Sequence, residues 1–502
     1  MTNLNDPPQR EPGWHVLDRD LNRISRVEYA TAYVSQPLVA VGMAMVFVAL
    51  AALWAALVES NQSGQLIVVV ASAFAAYLAL NIGANDVANN MGPAVGANAL
   101  TMTGALIVAA ICETAGALIA GGDVVDTIAS GIVARESLAD GSVFVIAMMA
   151  ALLSSALWLN LATWLGAPVS TTHAIVGGVA GAGIAAAGFG AVDWPGIVLI
   201  AISWVFSPVL GGAMAAGALW VVHRLVIDRP DKIAAARRWV PVLIAVMAWA
   251  FGTYLAMKGL KHVFAVSLGQ AMLLGLACAV LAWAGAKPYI RHQSKGLENR
   301  NKSLKVLFQV PLVLSAALMS FAHGANDVSN AIGPLAAIVS SLGHDGAGAG
   351  GAVAIPLWVM VIGALGISVG LMLFGPRLIR MVGDQITKLN AMRAYCVALS
   401  AAVTVIAASW LGLPVSSTHI AIGGVFGVGF FREAVEARRM RQMADTIELP
   451  DMAYEERQRR KLVRRSHFMT IIAAWIITVP ATALVSGGLF MILNKLQAFP
   501  VD

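Results

Sequence analysis

"NIGANDVANNMGPAVGANAL" at 81–100 returns, with few changes, as "AHGANDVSNAIGPLAAIVSS" at 322–341. Between and after them a second pair recurs in the same order: "WLGAPVSTTHAIVGGVAGAG" at 164–183 and "WLGLPVSSTHIAIGGVFGVG" at 410–429. Asp86 lies 87 residues before His173, and Asp327 lies 92 before His419. Two different motifs repeated in one order at one spacing mark an internal duplication. The surrounding chain is apolar: of 502 residues, 59% are hydrophobic and 12% charged. A soluble domain carries about twice that share of charge, so these Gly, Asn, Asp, Ser and Thr residues fall among membrane-spanning segments. The fold expected is an all-α polytopic membrane protein.

Apolar stretches long enough to cross a bilayer as helices fall near 37–58, 65–82, 100–121, 143–165, 195–222, 240–257, 264–284, 306–322, 353–375, 394–411 and 467–493. The net charge of +6 is gathered in loops at 223–238, 287–305, 377–393 and 432–465. That is a topology signal and places these loops in the cytoplasm, with no nucleic-acid partner implied. Cys112, Cys278 and Cys396 lie far apart in apolar segments and suggest neither a disulfide framework nor a zinc site. No signal peptide is expected. Residues 13–30 space Trp14, Leu17, Leu21 and Ile24 as an interfacial helix would.

The loops also orient the copies. The second copy starts inside, after 287–305, and ends outside after an odd number of crossings. The first ends inside, at 223–238, so the same architecture must have begun outside. Its 121–141 loop is acidic, as an external loop can be. The copies are thus expected to be inverted, the sequence mark of a secondary transporter with broken helices and re-entrant hairpins at the midplane. The expected divisions are an N-terminal cytoplasmic extension at 1–36, an extra transmembrane helix at 37–63, transport repeat 1 at 64–223, a two-helix connector at 224–305 and transport repeat 2 at 306–493, which includes the charged loop at 432–465.

The chemistry follows from residue type. Gly83 and Gly324 are expected to break their helices, and Gly92–Pro93 and Gly333–Pro334 to break them again. Asn85, Asn89, Asn326 and Asn330 offer amide donors and acceptors. Asp86 and Asp327 are costly in lipid and functional by default, with helix capping as the plainer alternative. Pro168 and Pro414 introduce Ser170, Thr171, Thr172 and Ser416, Ser417, Thr418, each set read as the hydroxyl-lined N-terminus of a half-helix, a ready anion site. Bonding back to their own helix is the alternative. Carboxylates beside an anion site would repel the anion, so a cation must accompany it: Na⁺ or H⁺ at Asp86 and Asp327, or a divalent metal travelling with the anion. Glu113 is a further cation-coupling candidate, ranked below the two Asp because its counterpart is apolar. His173 and His419 read as structural histidines before relays. His323 has Ile82 as its counterpart and is placed outside the symmetric site. Trp204 and Pro208 pair with Trp475 and Pro480 as a shared kink.

At "GANDVANNMGPAVG", "HGANDVSNAIGP", "PVSTTH" and "PVSSTH" the chain resembles the PiT family of inorganic phosphate transporters, in order from about residue 65 to 493. The resemblance implies a phosphate symporter with two inverted repeats, a central site and a homodimer in the cell's inner membrane. It places substrate and cation contacts at Asn85, Asp86, Asn89, Ser170, Thr171 and Thr172, and at Asn326, Asp327, Asn330, Ser416, Ser417 and Thr418. No enzymatic activity and no cofactor beyond the coupling ion are expected. A sulfate symporter of the same build is the alternative. Sulfate lacks the proton that hydrogen phosphate could donate to a carboxylate, which favours phosphate. A passive anion channel is more distant. An intramembrane aspartyl protease is disfavoured, because both Asp sit in the same Gly-Ala-Asn-Asp setting.

Overall fold

The computed structural model describes residues 38–60, 64–133, 138, 141–167, 169–259, 266–342, 355–385, 389–444 and 465–496, without the side chains of 381–385, 439–444 and 465–471. The expected interfacial helix at 13–30, Pro168 and most of the charged loop at 432–465 fall outside these residues; 432–444 continue the preceding helix. Two units are distinguished, Met1–Phe47 and Val48–Asp502.

The described residues are helical, apart from short turns and one isolated bridge between Val133 and Val192. In chain order the helices are α1 (Leu38–Val58), α2 (Gln65–Gly96), α3 (Met102–Ala120), α4 (Gly122–Ser130), α5 (Gly141–Leu165), α6 (Thr171–Ala187), α7 (Trp194–Val222), α8 (Lys232–Gly259), α9 (Leu268–Gln293), α10 (Asn301–Leu307), α11 (Gln309–Leu342), α12 (Leu357–Gln385), α13 (Ala391–Trp410), α14 (Ser417–Ala444) and α15 (Arg465–Leu496). Ten are long and apolar enough to cross a membrane, or eleven if α10 and α11, bent by 48°, count together. The chain is a multi-pass membrane protein, and its helices satisfy their backbones internally, as a bilayer demands. Caps mark several ends. The Thr101 hydroxyl accepts from Gly104 N at 3.2 Å, Asn390 caps α13, and Ser267 with Gln270 forms a capping box at α9.

The duplication is visible in local geometry. Gly166 and Gly412 both take φ of +69°, a left-handed conformation that glycine adopts without a Cβ penalty. Each ends a helix with the same return bond, Ala167 N to Ala162 O at 2.9 Å and Leu413 N to Ala408 O at 3.0 Å.

The expected helix breaks at Gly83, Gly92–Pro93, Gly324 and Gly333–Pro334 are absent. α2 and α11 run through all four positions as continuous helices. The glycines serve close approach instead. A Cβ on Gly83 would overlap the Ile367 carbonyl oxygen of α12, and one on Gly324 would overlap that of Glu113 on α3. The contacts are reciprocal: Gly370 meets Leu80 O, and Gly116 meets Phe321 O. Small residues let membrane helices pack backbone to backbone. The same exchange recurs further on. Gly177 and Gly181 of α6 lie on Val479 and Ala483 of α15, while Gly423 and Gly427 of α14 lie on Pro208 and Gly212 of α7. In all four crossings a helix of one copy rests on a helix of the other. Pro208 and Pro480 lie within continuous helices at or beside these crossings. The three cysteines are free.

Candidate functional site

Four elements converge: the middles of α2 and α11, and the N-termini of α6 and α14. Asp86 and Asp327 are fully buried, as are the hydroxyl residues facing them. The partners cross between copies. Asp86 Oδ1 accepts from the Thr418 hydroxyl at 3.2 Å, and Asn89 donates to Thr418 Oγ1 at 2.8 Å and to Asp86 Oδ1 at 3.4 Å. On the other side, Asn330 donates to Thr172 Oγ1 at 3.2 Å and Thr171 Oγ1 at 3.4 Å. Asp327 Oδ2 accepts from Ser417 at 3.2 Å and Thr171 at 3.5 Å. Asp86 therefore reads the other copy's hydroxyl motif, and Asp327 reads both, Ser417 from its own copy and Thr171 from the other.

The remaining motif residues take different tasks. Ser170 and Ser416 are N-caps, their hydroxyl oxygens accepting from His173 N at 3.2 Å and His419 N at 3.3 Å. Asn85 donates to Thr163 Oγ1 at 3.3 Å, while Asn326 donates to Ser409 Oγ at 2.9 Å and to Leu413 O at 3.2 Å. Thr163 and Ser409 are equivalent positions just before the WLG turns. The two Asn therefore hold the helices that deliver the hydroxyls. His173 and His419 stand apart from the carboxylates, 4.5 Å between ring centroids, against Trp204 at 3.8 Å and Trp475 at 3.5 Å. Pro93 and Pro334 act on the backbone: with no N–H to give, neither can bond the carbonyl four residues earlier, which belongs to Asn89 and to Asn330.

His323 corrects the sequence reading, which left it outside the site. Its Nε2 lies 2.9 Å from Asp327 Oδ2 and 3.5 Å from Asp86 Oδ2, and its Nδ1 lies 3.3 Å from Glu113 Oε2. Asn90 donates to Glu113 Oε1 at 2.8 Å. Searching for residues present in both copies hid His323, because its counterpart is Ile82. The signal available was a second ionisable group four residues from Asp327, one helical turn away on the same face.

The cluster can hold a cation. Asp86, His323 and Asp327 each bring a ligand atom within 4.8 Å of the others. Asp327 Oδ1 and the amide oxygens of Asn85, Asn326 and Asn330 are buried without a hydrogen-bond partner. Unsatisfied oxygens at this density are costly unless something positive meets them.

The sequence profile of the phosphate transporter family matches residues 82–486. This chain belongs to the phosphate transporter family. A Helicobacter pylori (strain J99) protein named as a phosphate permease is 41% identical over 96% of this chain and 100% of its own length. The Arabidopsis thaliana protein named inorganic phosphate transporter 2-1, chloroplastic, is 36% identical over 85% of this chain and 72% of its own length. Among solved structures, one titled "The sodium-dependent phosphate transporter" matches with a TM-score of 0.76 and 32% identity, covering 86% of this chain and 99% of that one. The family is one of transporters and permeases, not enzymes.

Proposed function

We propose that this protein imports inorganic phosphate across the cell's plasma membrane by symport with a cation, through the site where α2, α6, α11 and α14 meet. The observation that carries this reading is the interleaving of two buried carboxylates with hydroxyls from both repeats: Thr418 on Asp86 and Thr171 on Asp327 cross between the copies, while Ser417 meets Asp327 within its own copy. Thr171, Thr172, Ser417 and Thr418, with Asn89, Asn330 and the free N–H groups of the first turns of α6 and α14, bind the phosphate oxygens. Asp86 and Asp327 hold the coupling cation, helped by the partnerless oxygens beside them. The cation offsets the repulsion between these carboxylates and the anion, so neither ligand binds well alone. Such mutual dependence is what coupling requires.

The exchanged packing supports a pseudo-two-fold relation between inverted repeats. Every hydroxyl motif is anchored to the other copy's carboxylate helix, so a shift of one repeat against the other reseats both ends of the site together. The likeness to a sodium-dependent transporter favours Na⁺. A proton is the second reading, and His323, poised between three carboxylates, is the observation that favours it.

Uptake of labelled phosphate into proteoliposomes, under a Na⁺ gradient or a pH gradient imposed separately, tests both. Saturable uptake driven by one gradient and unaffected by excess sulfate is the expected result. Uptake without either gradient would favour a channel, and block by sulfate would favour the sulfate symporter. Loss of uptake on chelation would identify a metal–phosphate complex as the cargo.

A further inference from the structure

Apart from the residues of the carboxylate cluster, α8 begins and α9 ends beside the basic loops at 223–238 and 287–305. There they frame an open groove of about 760 Å³ lined by Arg237, Arg238, Lys287, Arg291, Lys295 and Trp283. Arg237 is committed to the protein, donating from Nε to Ser294 Oγ at 2.6 Å and from Nη2 to Ser294 O at 3.2 Å. Lys287 lies over the Trp283 ring, 4.2 Å from its centroid. No carboxylate among the described residues pairs with Arg238, Lys287, Arg291 or Lys295. The nearby acids are engaged elsewhere: Glu298 with Arg300 at 3.0 Å, Asp228 with His223 at 3.7 Å, and Asp231 with the backbone of Ala234 at 2.9 Å.

Five cations around one groove repel one another unless an anion joins them. Arg238, Arg291 and Lys295 are exposed and Lys287 is half-buried, and they share the lining with the apolar side chains of Ala234, Val242 and Trp283. Trp283, Lys287 and Arg291 follow at intervals of four along one face of α9, as Ala234, Arg238 and Val242 do along α8. Continuing away from the basic end, the α9 face presents Val280 and Leu276, and α8 presents Val246 and Trp249, all exposed. A cationic end with tryptophan at its edge thus passes directly into an exposed apolar strip. Basic pockets between helices on the cytoplasmic side are suited to anionic headgroups, and tryptophan to the interface.

We infer that this groove binds an anionic glycerophospholipid. Its phosphodiester sits among Arg238, Lys287, Arg291 and Lys295, and its acyl chains lie along Val242, Val246, Leu276 and Val280. Free phosphate shares the charge but makes no use of the apolar strip. The site is separate from the transport site and does not depend on the transport reading.

The test uses the full-length protein, purified and stripped of lipid in neutral detergent. Phosphatidylglycerol and phosphatidylcholine are titrated while bound lipid is followed by native mass spectrometry and melting temperature by thermal shift. Phosphatidylglycerol should bind in preference to phosphatidylcholine. Replacing four cations together, by Arg238→Gln, Lys287→Gln, Arg291→Gln and Lys295→Gln, should weaken phosphatidylglycerol binding at least about tenfold, since each surface cation adds attraction toward anionic lipid. Four equal neutralisations elsewhere, Arg229→Gln, Arg300→Gln, Lys302→Gln and Lys305→Gln, should leave it unchanged. Should the first variant fail to fold, Lys287→Glu alone should also weaken phosphatidylglycerol binding, by severalfold. Equal binding of both lipids, equal loss in both quadruple variants, or displacement of phosphatidylglycerol by millimolar inorganic phosphate would each overturn the assignment.

Discussion

The two repeats share their close-packed glycine crossings and differ in the side chains beside them. Where α2 crosses α12, the residues beside the close-packed glycines are Ile82 and Ile367, both buried. Where α11 crosses α3, the equivalent places hold His323 and Glu113, 3.3 Å apart. One crossing is sealed with hydrocarbon; the other carries two ionisable groups into the centre of the site. Asp327 therefore has the closer His323 contact and two hydroxyl donors, whereas Asp86 has one hydroxyl donor and one amide. Duplication supplied the frame, and the departure from symmetry made one carboxylate different from its twin.

The sharpest way to break this comparison is at the carboxylates. Asp327→Asn should lower gradient-driven phosphate uptake by about 100-fold or more. Removing one member of a buried charged network costs roughly 3–5 kcal/mol, and about 1.4 kcal/mol is tenfold. Asp86→Asn should also disable uptake, by a smaller factor, with both variants inserting normally; initial rates in proteoliposomes measure the ratio. Equal losses would mean that the asymmetry has no functional weight.

Next comes the pair itself. His323→Ile or Glu113→Ile alone should destabilise the protein by about 2–4 kcal/mol, because each leaves a buried polar partner stranded. The double variant reproduces the Ile82–Ile367 crossing and should recover at least about 1 kcal/mol of the summed loss. Thermal unfolding in detergent reads this cycle, and strict additivity would refute the pairing.

The glycines sharpen the other half of the comparison. Gly83→Ala and Gly324→Ala should each cost about 1–3 kcal/mol, since the new methyl meets a backbone carbonyl on the facing helix. Similar costs in the two copies are expected, because this part of the frame is common to both. The smallest effects belong to the outer supports. Thr163→Val and Ser409→Ala each remove a hydroxyl partner of a positioning asparagine, and each should cost about 1 kcal/mol. Phosphate affinity should weaken severalfold, with saturated uptake less affected.

Much of this arrangement was legible in the sequence, and the reasons differ by region. The spans follow from apolar length, and each expected stretch corresponds to a helix of the structure. The cluster of Asp86, Asp327, Thr171 and Thr418 was legible because polar residues repeated amid hydrocarbon have few plain explanations. Gly83 and Gly324 misled because glycine can open a helix or let another helix approach, and only the facing carbonyl decides which. Ser170 looked equal to Thr171, yet the start of the helix between them makes one a cap and the other a site hydroxyl. His323 was missed because symmetry was used as the filter, and it is the residue that breaks symmetry.

The exchanged packing also sets an order of events during synthesis. Asp86 and its hydroxyl partner Thr418 are 332 residues apart, and α2 leans on α12. While the ribosome is still making the connector, the first repeat has entered the bilayer with a buried acid lacking its eventual donor and a glycine groove lacking its eventual occupant. The nascent half must therefore be sheltered until the second half arrives. A chain stopped after α9 should consequently be a substrate for membrane quality control rather than a half-transporter, and a pulse-chase comparison with the full-length chain would show it.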